Sequence, residues 1–196
     1  FFTDRVGRAV KAQAAEVLAA DLVIRSPAPL DPKLRAEAGK LGLASAEALA
    51  FPSVVLAGDG NTLATIQAVS AGFPLRGELR VSDTLFGAGV RTGAVPGRGE
   101  AWAEPALLGK LGLDIGAELQ VGSTTLRVVK ALQYQPDQNP GLANFAPSLL
   151  VNIADVPAMN VIRPGSRVTY RQLYAGDEQP IAEFRKRIAG QLDSEA

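Results

Sequence analysis

Apolar residues recur at helical spacing at both ends of the chain. Phe2, Val6, Val10, Ala14 and Val17 follow one another at steps of three or four, with Arg5, Arg8, Lys11, Gln13 and Glu16 between them, which predicts an amphipathic helix over 2–18. Ile181, Phe184, Ile188 and Leu192 repeat the pattern behind Pro180, with Glu183, Arg185, Lys186 and Arg187 turned outward, and predict a second helix closing the chain. Such helices ordinarily cover a sheet.

The interior reads as strands and short helices. A short apolar strand over 21–26 leads through a Pro-rich turn into a helix over 33–41 that stops at Gly42. An extended run over 44–57 carries Pro52, which marks an edge or bulge, and Gly58-Asp59-Gly60-Asn61 turns it into a strand over 62–70. This is a βαββ unit. Strands are also predicted over 148–152 and 167–175, with a helical turn near 155–159. Between Gly77 and Gly122 lie ten glycines, and the pattern shifts to short strands over 79–82, 101–104, 118–121 and 124–132. Gly122-Ser123 forms a two-residue hairpin turn, and Pro105 and Gly112 bracket a short helix. The middle is a β-rich module set into an α+β host.

Composition narrows the chemistry. The 196 residues include no His and no Cys, which removes Ser-His-Asp and Cys-His nucleophiles, imidazole and thiolate metal sites, haem and iron–sulfur ligation, and disulfides. Lys and Arg total 20 and so do Asp and Glu; a chain of zero net charge has no overall basic field for nucleic acid or anionic lipid. The uncharged stretches 60–75 and 138–154 are broken by polar residues, Gly and Pro, so neither crosses a bilayer. The chain opens on Phe1, directly in helical pattern, as a piece of something longer would.

The remaining motifs are weak. Gly87, Gly89, Gly93, Gly97 and Gly99 suggest a phosphate loop, but Thr92 stands where a dinucleotide fingerprint needs Gly and no Gly-Lys-Ser/Thr occurs; the run is expected to be a mobile surface loop. Asp137 to Gly141 resembles the start of a calcium loop whose twelfth position, Ser148, cannot give a bidentate carboxylate. None of the nine serines stands three residues before a lysine, so the Ser/Lys dyad also lacks support. Trp102, the sole tryptophan, is expected in the core. Arg185-Lys186-Arg187 reads as a solvated helix face.

Several segments together carry a resemblance. Gly99-Glu100-Ala101-Trp102-Ala103, Leu107-Leu108, Leu111-Gly112-Leu113, Ile115-Gly116 and Leu119-Gln120-Val121-Gly122 resemble a module of the extracytoplasmic domains of MacB/FtsX-like ABC transporter permeases. Pro74-Leu75-Arg76-Gly77, Asn144-Phe145-Ala146-Pro147 and Pro164-Gly165-Ser166-Arg167-Val168, with Tyr170-Arg171, resemble the YbbP branch. Phe2, Asp4-Arg5-Val6 and Asp21-Leu22-Val23-Ile24 are similar to the stretch leaving the first membrane helix there. Ala117 and Ala131 depart from the family pattern.

The resemblance implies an α+β fold with a discontinuous porter-like α/β subdomain, 1–80 and 146–196, and an inserted β-rich sabre-like subdomain, 81–145. It implies a periplasmic domain of a bacterial inner-membrane permease whose end helices continue into the membrane as a stalk, their outer ends within about two helix diameters, roughly 20–25 Å. It also implies a cytoplasmic ABC ATPase as partner, mechanotransmission of ATP-driven movement, hydrophobic or lipid-derived compounds, and a periplasmic esterase or lysophospholipase. No catalytic, cofactor or metal residues follow from it. The partner or substrate surface is expected on the inserted module, with Phe86, Leu142 and Phe145 as apolar anchors and Arg91 and Arg98 at a polar rim. Two alternatives stand beside this reading: a soluble enzyme using Glu100 and Glu104, or Asp59, as acid and base, and a periplasmic ligand-binding module without motor coupling.

Overall fold

The computed structural model describes residues 18–136 and 146–194. The helix expected over 2–18 therefore lies outside the described residues but for Leu18, and so do Asp137 to Gly141, Leu142 and Phe145.

The elements run β1 (Leu22–Ser26), α1 (Pro32–Lys40), β2 (Ala44–Ala57), β3 (Gly60–Val69), β4 (Leu79–Ser82), β5 (Val90–Thr92), β6 (Glu100–Ala103), α2 (Pro105–Leu111), β7 (Glu118–Val121), β8 (Thr124–Tyr134), β9 (Ser148–Asn152), a 3-10 turn (Ile153–Asp155), α3 (Val156–Met159), β10 (Thr169–Ala175) and α4 (Glu178–Ser194). Local chemistry accounts for the ends. Asp31 caps α1 by accepting the Lys33 N–H at 2.9 Å, with Pro32 supplying the helical φ of the first turn. At the β7–β8 turn Gly122 has φ +56°, and a Cβ there would fall 2.1 Å from the Met159 carbonyl oxygen; only glycine lets this hairpin close against α3.

All ten strands join one sheet. Starting from β2, the pairings run to β3, β9, β6, β8 and β7 and return to β2, so six strands close a barrel. Two of its pairings, β3 with β9 and β6 with β8, are parallel. The alternate residues that point inward form the main core, among them Val55, Ile66, Ala101, Leu119, Leu126, Leu149 and Val151, with Leu107 and Leu108 of α2 packed into it. Burying each Val, Leu or Ile side chain among them contributes about 1.5–3 kcal/mol.

Two long strands extend the barrel. The 14-residue β2 pairs with β10 through Ala44–Ala50 and with β7 only at Val55 and Leu56. Pro52 falls in the gap between those partners, where a residue without an N–H removes no ladder bond on that edge. Beyond β10 lies β1, and α1 and α4 cover this end. Tyr174 meets Phe184 edge to face at 4.7 Å, among Leu34, Ala38 and Ile181. The 11-residue β8 likewise leaves β7 after Arg127 and pairs with β4 at Ala131, Leu132 and Tyr134. A second cluster, including Trp102, Leu150, Val69, Phe73 and Leu173, occupies the sheet face opposite the barrel core, and Trp102 is 3% exposed there.

One expectation is corrected. The glycine-rich run is not a plain surface loop: it contains β5, which pairs antiparallel with β4, and two of its glycines sit where the chain is crowded. A Cβ on Gly87 would fall 2.1 Å from the Ser82 Oγ, and one on Gly89 would fall 3.1 Å from the Gln133 Cβ. A side chain at either position would push Ser82, Thr84 or Gln133 aside, so close packing favours glycine here. The ladders β2–β7 and β6–β9 connect the expected insert, 81–145, with the segments flanking it.

Candidate interaction cleft

A polar concavity lies on the β4–β5 hairpin. Arg80 stands opposite Arg91 in the β4–β5 register and opposite Tyr134 in the β4–β8 register, so the three side chains form one row across three strands. Two guanidinium groups placed opposite each other repel. Glu78 answers that repulsion: its Oε1 accepts from the Arg80 Nε and its Oε2 meets the Arg91 Nε at 2.5 Å. One carboxylate between two guanidinium groups leaves the row net positive. Gly77 and Gly89 add no side chain, and the cleft holds about 800 Å³, open to solvent, with Gln133 and Tyr134 on its wall. Planar cationic forks beside a phenol suit a carboxylate or phosphate group.

The expected surface residues divide. Phe86 is 87% exposed in the turn before β5, and Arg91 lines the cleft. Arg98 belongs to a different arrangement, its Nε 3.7 Å from the Asp155 Oδ1 while the Asp155 Oδ2 accepts the Gly99 N–H at 2.8 Å. With Asn152 donating to the Pro96 carbonyl at 2.9 Å, Asp155 ties the segment after β5 to the turn after β9. Leu142 and Phe145 lie outside the described residues. Glu78, Arg80 and Tyr134 were not expected from the sequence; the one local signal was Glu78 and Arg80 at the period-2 spacing of a strand face.

The carboxylates weighed for acid–base work are engaged by backbone. The Glu100 Oε2 accepts the Gly97 N–H at 3.0 Å, and the Glu104 Oε2 accepts the Ser148 N–H at 2.9 Å. Burial raises the Glu104 carboxyl above its ordinary value, and the Ser148 hydrogen bonds oppose that shift. Asp59 lies in the β2–β3 turn. Among the described residues no three Asp or Glu side chains converge as a metal site would need, and no helix is long and apolar enough to cross a membrane.

A second concavity is apolar. Leu49, Ile153, Val156, Val161, Ile162 and Tyr170 line a groove of about 360 Å³ where β10 parts from the barrel, and a smaller hollow of about 210 Å³ beside it shares Leu49, Ile153 and Tyr170. On the outside of the β2–β3 hairpin, Val54 and Leu63 stand opposite each other and, with Leu56, are exposed.

No family model matches the chain. Over 193 residues it is 31% identical to the ABC transporter permease YbbP of Escherichia coli (strain K12), a match covering 98% of this chain and 23% of that protein. Among solved structures, the extracellular domain of the noncanonical ABC-type transporter YknZ from Gram-positive bacteria shares the fold with a TM-score of 0.53 at 13% identity, over 83% of this chain and 88% of that one. The periplasmic region of MacB from Actinobacillus actinomycetemcomitans gives 0.52 at 12% identity, over 82% and 72%. The expected resemblance therefore holds in both sequence and fold: the chain is similar to one region of the ABC transporter permease YbbP, spans about a quarter of that protein's length, and shares the fold of the YknZ and MacB extracytoplasmic domains.

Proposed function

We propose that the chain is the non-catalytic periplasmic domain of an ABC transporter permease and couples ATP-driven movement of the membrane part to the handling of a substrate or partner in the periplasm. The observation that carries this reading is the junction between the start of β1 and the end of β10. The Asp21 N–H donates to the Tyr174 carbonyl at 3.0 Å, and the Asp21 Oδ2 accepts the Gly176 N–H at 3.0 Å. Arg76 holds the same carboxylate from the other side, its Nη2 at 2.7 Å and Nε at 3.1 Å. The chain thus enters the sheet and leaves it toward α4 at adjacent points, which suits two helices rising side by side from one membrane.

In this role the segments 1–80 and 146–196 form the porter-like host, 81–145 forms the sabre-like insert, and a cytoplasmic ABC ATPase supplies the hydrolysis. Hydrophobic or lipid-derived compounds are the proposed cargo, supported by the apolar groove at Tyr170 and Leu49, with a periplasmic esterase as an associated protein. Phe86 and Arg91 are the proposed partner surface, and Arg98, at Asp155, is proposed as a further polar contact.

The test fastens α4 in place. The Gln191 Nε2 lies 3.3 Å from the Glu37 carboxylate of α1, so a Glu37→Cys, Gln191→Cys pair in a cysteine-free full-length permease can be joined by a short thiol cross-linker. Cross-linking is expected to stop transport, while the unlinked double variant remains active. Undiminished transport with α4 fastened to α1 refutes coupling through this helix.

A further inference from the structure

Among the described residues the sheet ends on β5, and no other strand pairs with its outer edge. Val90 is 68% exposed and the Arg91 side chain 75%. A free edge is a template for another strand. Charged residues on an edge discourage pairing with strands of the same charge, and Arg91 does so for further copies of this chain. Two β5 strands meeting about a twofold axis through Arg91 would set the two guanidinium groups opposite each other, and β1, at the other end of the sheet, carries Arg25. Toward an acidic strand the same charge attracts. The cleft beneath the edge reinforces this, because Arg80 and Arg91 share the single carboxylate of Glu78. On the opposite face of β5, Val90 presents apolar surface, with Phe86 in the preceding turn.

We infer that β5 receives an extended acidic segment of a partner protein, which adds to the sheet edge with a carboxylate against the outer side of the Arg91 guanidinium and a neighbouring apolar side chain against Val90. Backbone hydrogen bonds hold the segment, and the alternation of acid and apolar positions selects it. The inference rests on the proposed partner-handling role and gives that partner a chemistry.

The 196-residue chain can be titrated with a short synthetic peptide of alternating Val and Glu while the backbone amides are followed by NMR. Expected are shifts centred on Val90–Thr92, binding about tenfold weaker for a Val/Gln peptide, and a loss of similar size for the Arg91→Glu chain that a Val/Lys peptide restores. Arg91 is largely exposed, so the variant folds, and an unchanged Trp102 emission spectrum verifies it. A Val/Glu peptide N-methylated at every amide keeps its charge but has no N–H on either edge to donate to a ladder, and it is expected not to bind. Equal binding of the Glu and Lys peptides, shifts away from β5, or undiminished binding of the N-methylated peptide overturns the inference. The two readings fail separately: loss of transport on cross-linking α4 with no peptide binding at β5 leaves the coupling role and removes the docking edge, and the reverse result removes the coupling role alone.

Discussion

Replacing Asp155 by Ala tests what holds the segment after β5 in place. Asp155 is buried, accepts the Gly99 N–H at 2.8 Å, and has the Arg98 Nε at 3.7 Å. Only the first is within hydrogen-bond distance. A hydrogen bond to a charged acceptor contributes about 1.5–3 kcal/mol, and its loss leaves a partly buried N–H without a partner. The Arg98 side chain is 77% exposed, and a pair with one solvated member contributes about 0–1 kcal/mol. Asp155→Ala should therefore destabilise by about 2 kcal/mol and Arg98→Ala by no more than about 0.5 kcal/mol. The buried, solitary Trp102 reports unfolding in urea. With a denaturant slope of about 2 kcal/mol per molar, the Asp155 variant should lose about 1 M in midpoint while the Arg98 variant hardly moves. An Arg98→Ala shift as large as that of Asp155→Ala would show that the ion pair is the clamp and that Arg98 is not free for a partner. A deletion of 86–99 would be no substitute for these point changes, because it removes β5 and takes partners from Asp155 and Asn152 together.

Further outcomes follow from the packing. Gly122→Ala should cost more than about 1 kcal/mol, read as a lowered melting temperature, since the added methyl meets the Met159 carbonyl at a positive φ. Phe184→Ala should cost about 3–5 kcal/mol and speed hydrogen exchange along α4, because its ring is fully buried against Tyr174. Burial raises the Glu104 pKa, so the folded state holds its proton more tightly than the unfolded chain; this group's contribution is greatest below its ordinary value of 4.5 and is lost as pH rises through the raised value. Glu104→Gln keeps an acceptor for the Ser148 N–H and should flatten that part of the pH–stability curve without lowering stability at pH 7; a clear loss at pH 7 would mean the charge itself stabilises the site.

Elements built from local signals were legible in the sequence. The Gly58-Asp59 turn, the Asp31-Pro32 helix start and the alternation in 118–121 each describe a few neighbouring residues, and the strands and helices stand within two residues of where those patterns place them. What was not legible depends on register between distant segments. Barrel closure needs Val55 opposite Val121, and no local pattern states that pairing. Strand β5 was missed because three residues between glycines are too short to alternate. The cleft was missed for the same reason: Arg91 was identified as exposed, but its alignment with Arg80 and Tyr134 exists only through the β4 ladders.

Those ladders also decide which part of the domain can move. The β2–β3 pairing runs unbroken from Ala48↔Val69 to Ala57↔Gly60, and β2 itself spans roughly 45 Å at strand rise, so the host end and the barrel share one continuous beam. Sliding one against the other would break that ladder and the core beneath it. The β4–β5 hairpin is joined far more lightly, by three pairs to β8 with a register shift between Arg80 and Val81. Neither of its strands is part of the barrel ring. In the proposed role α4 shifts against that stiff body, and the part of the sheet least tightly tied to it is the hairpin that offers the edge. A segment added to β5 lengthens that small sheet by a strand, and the pairing gained on one side of β5 offsets the short ladder on the other. Docking should therefore slow hydrogen exchange at the β4 amides as well as at β5, whereas a partner bound through Arg91 alone would leave β4 unchanged.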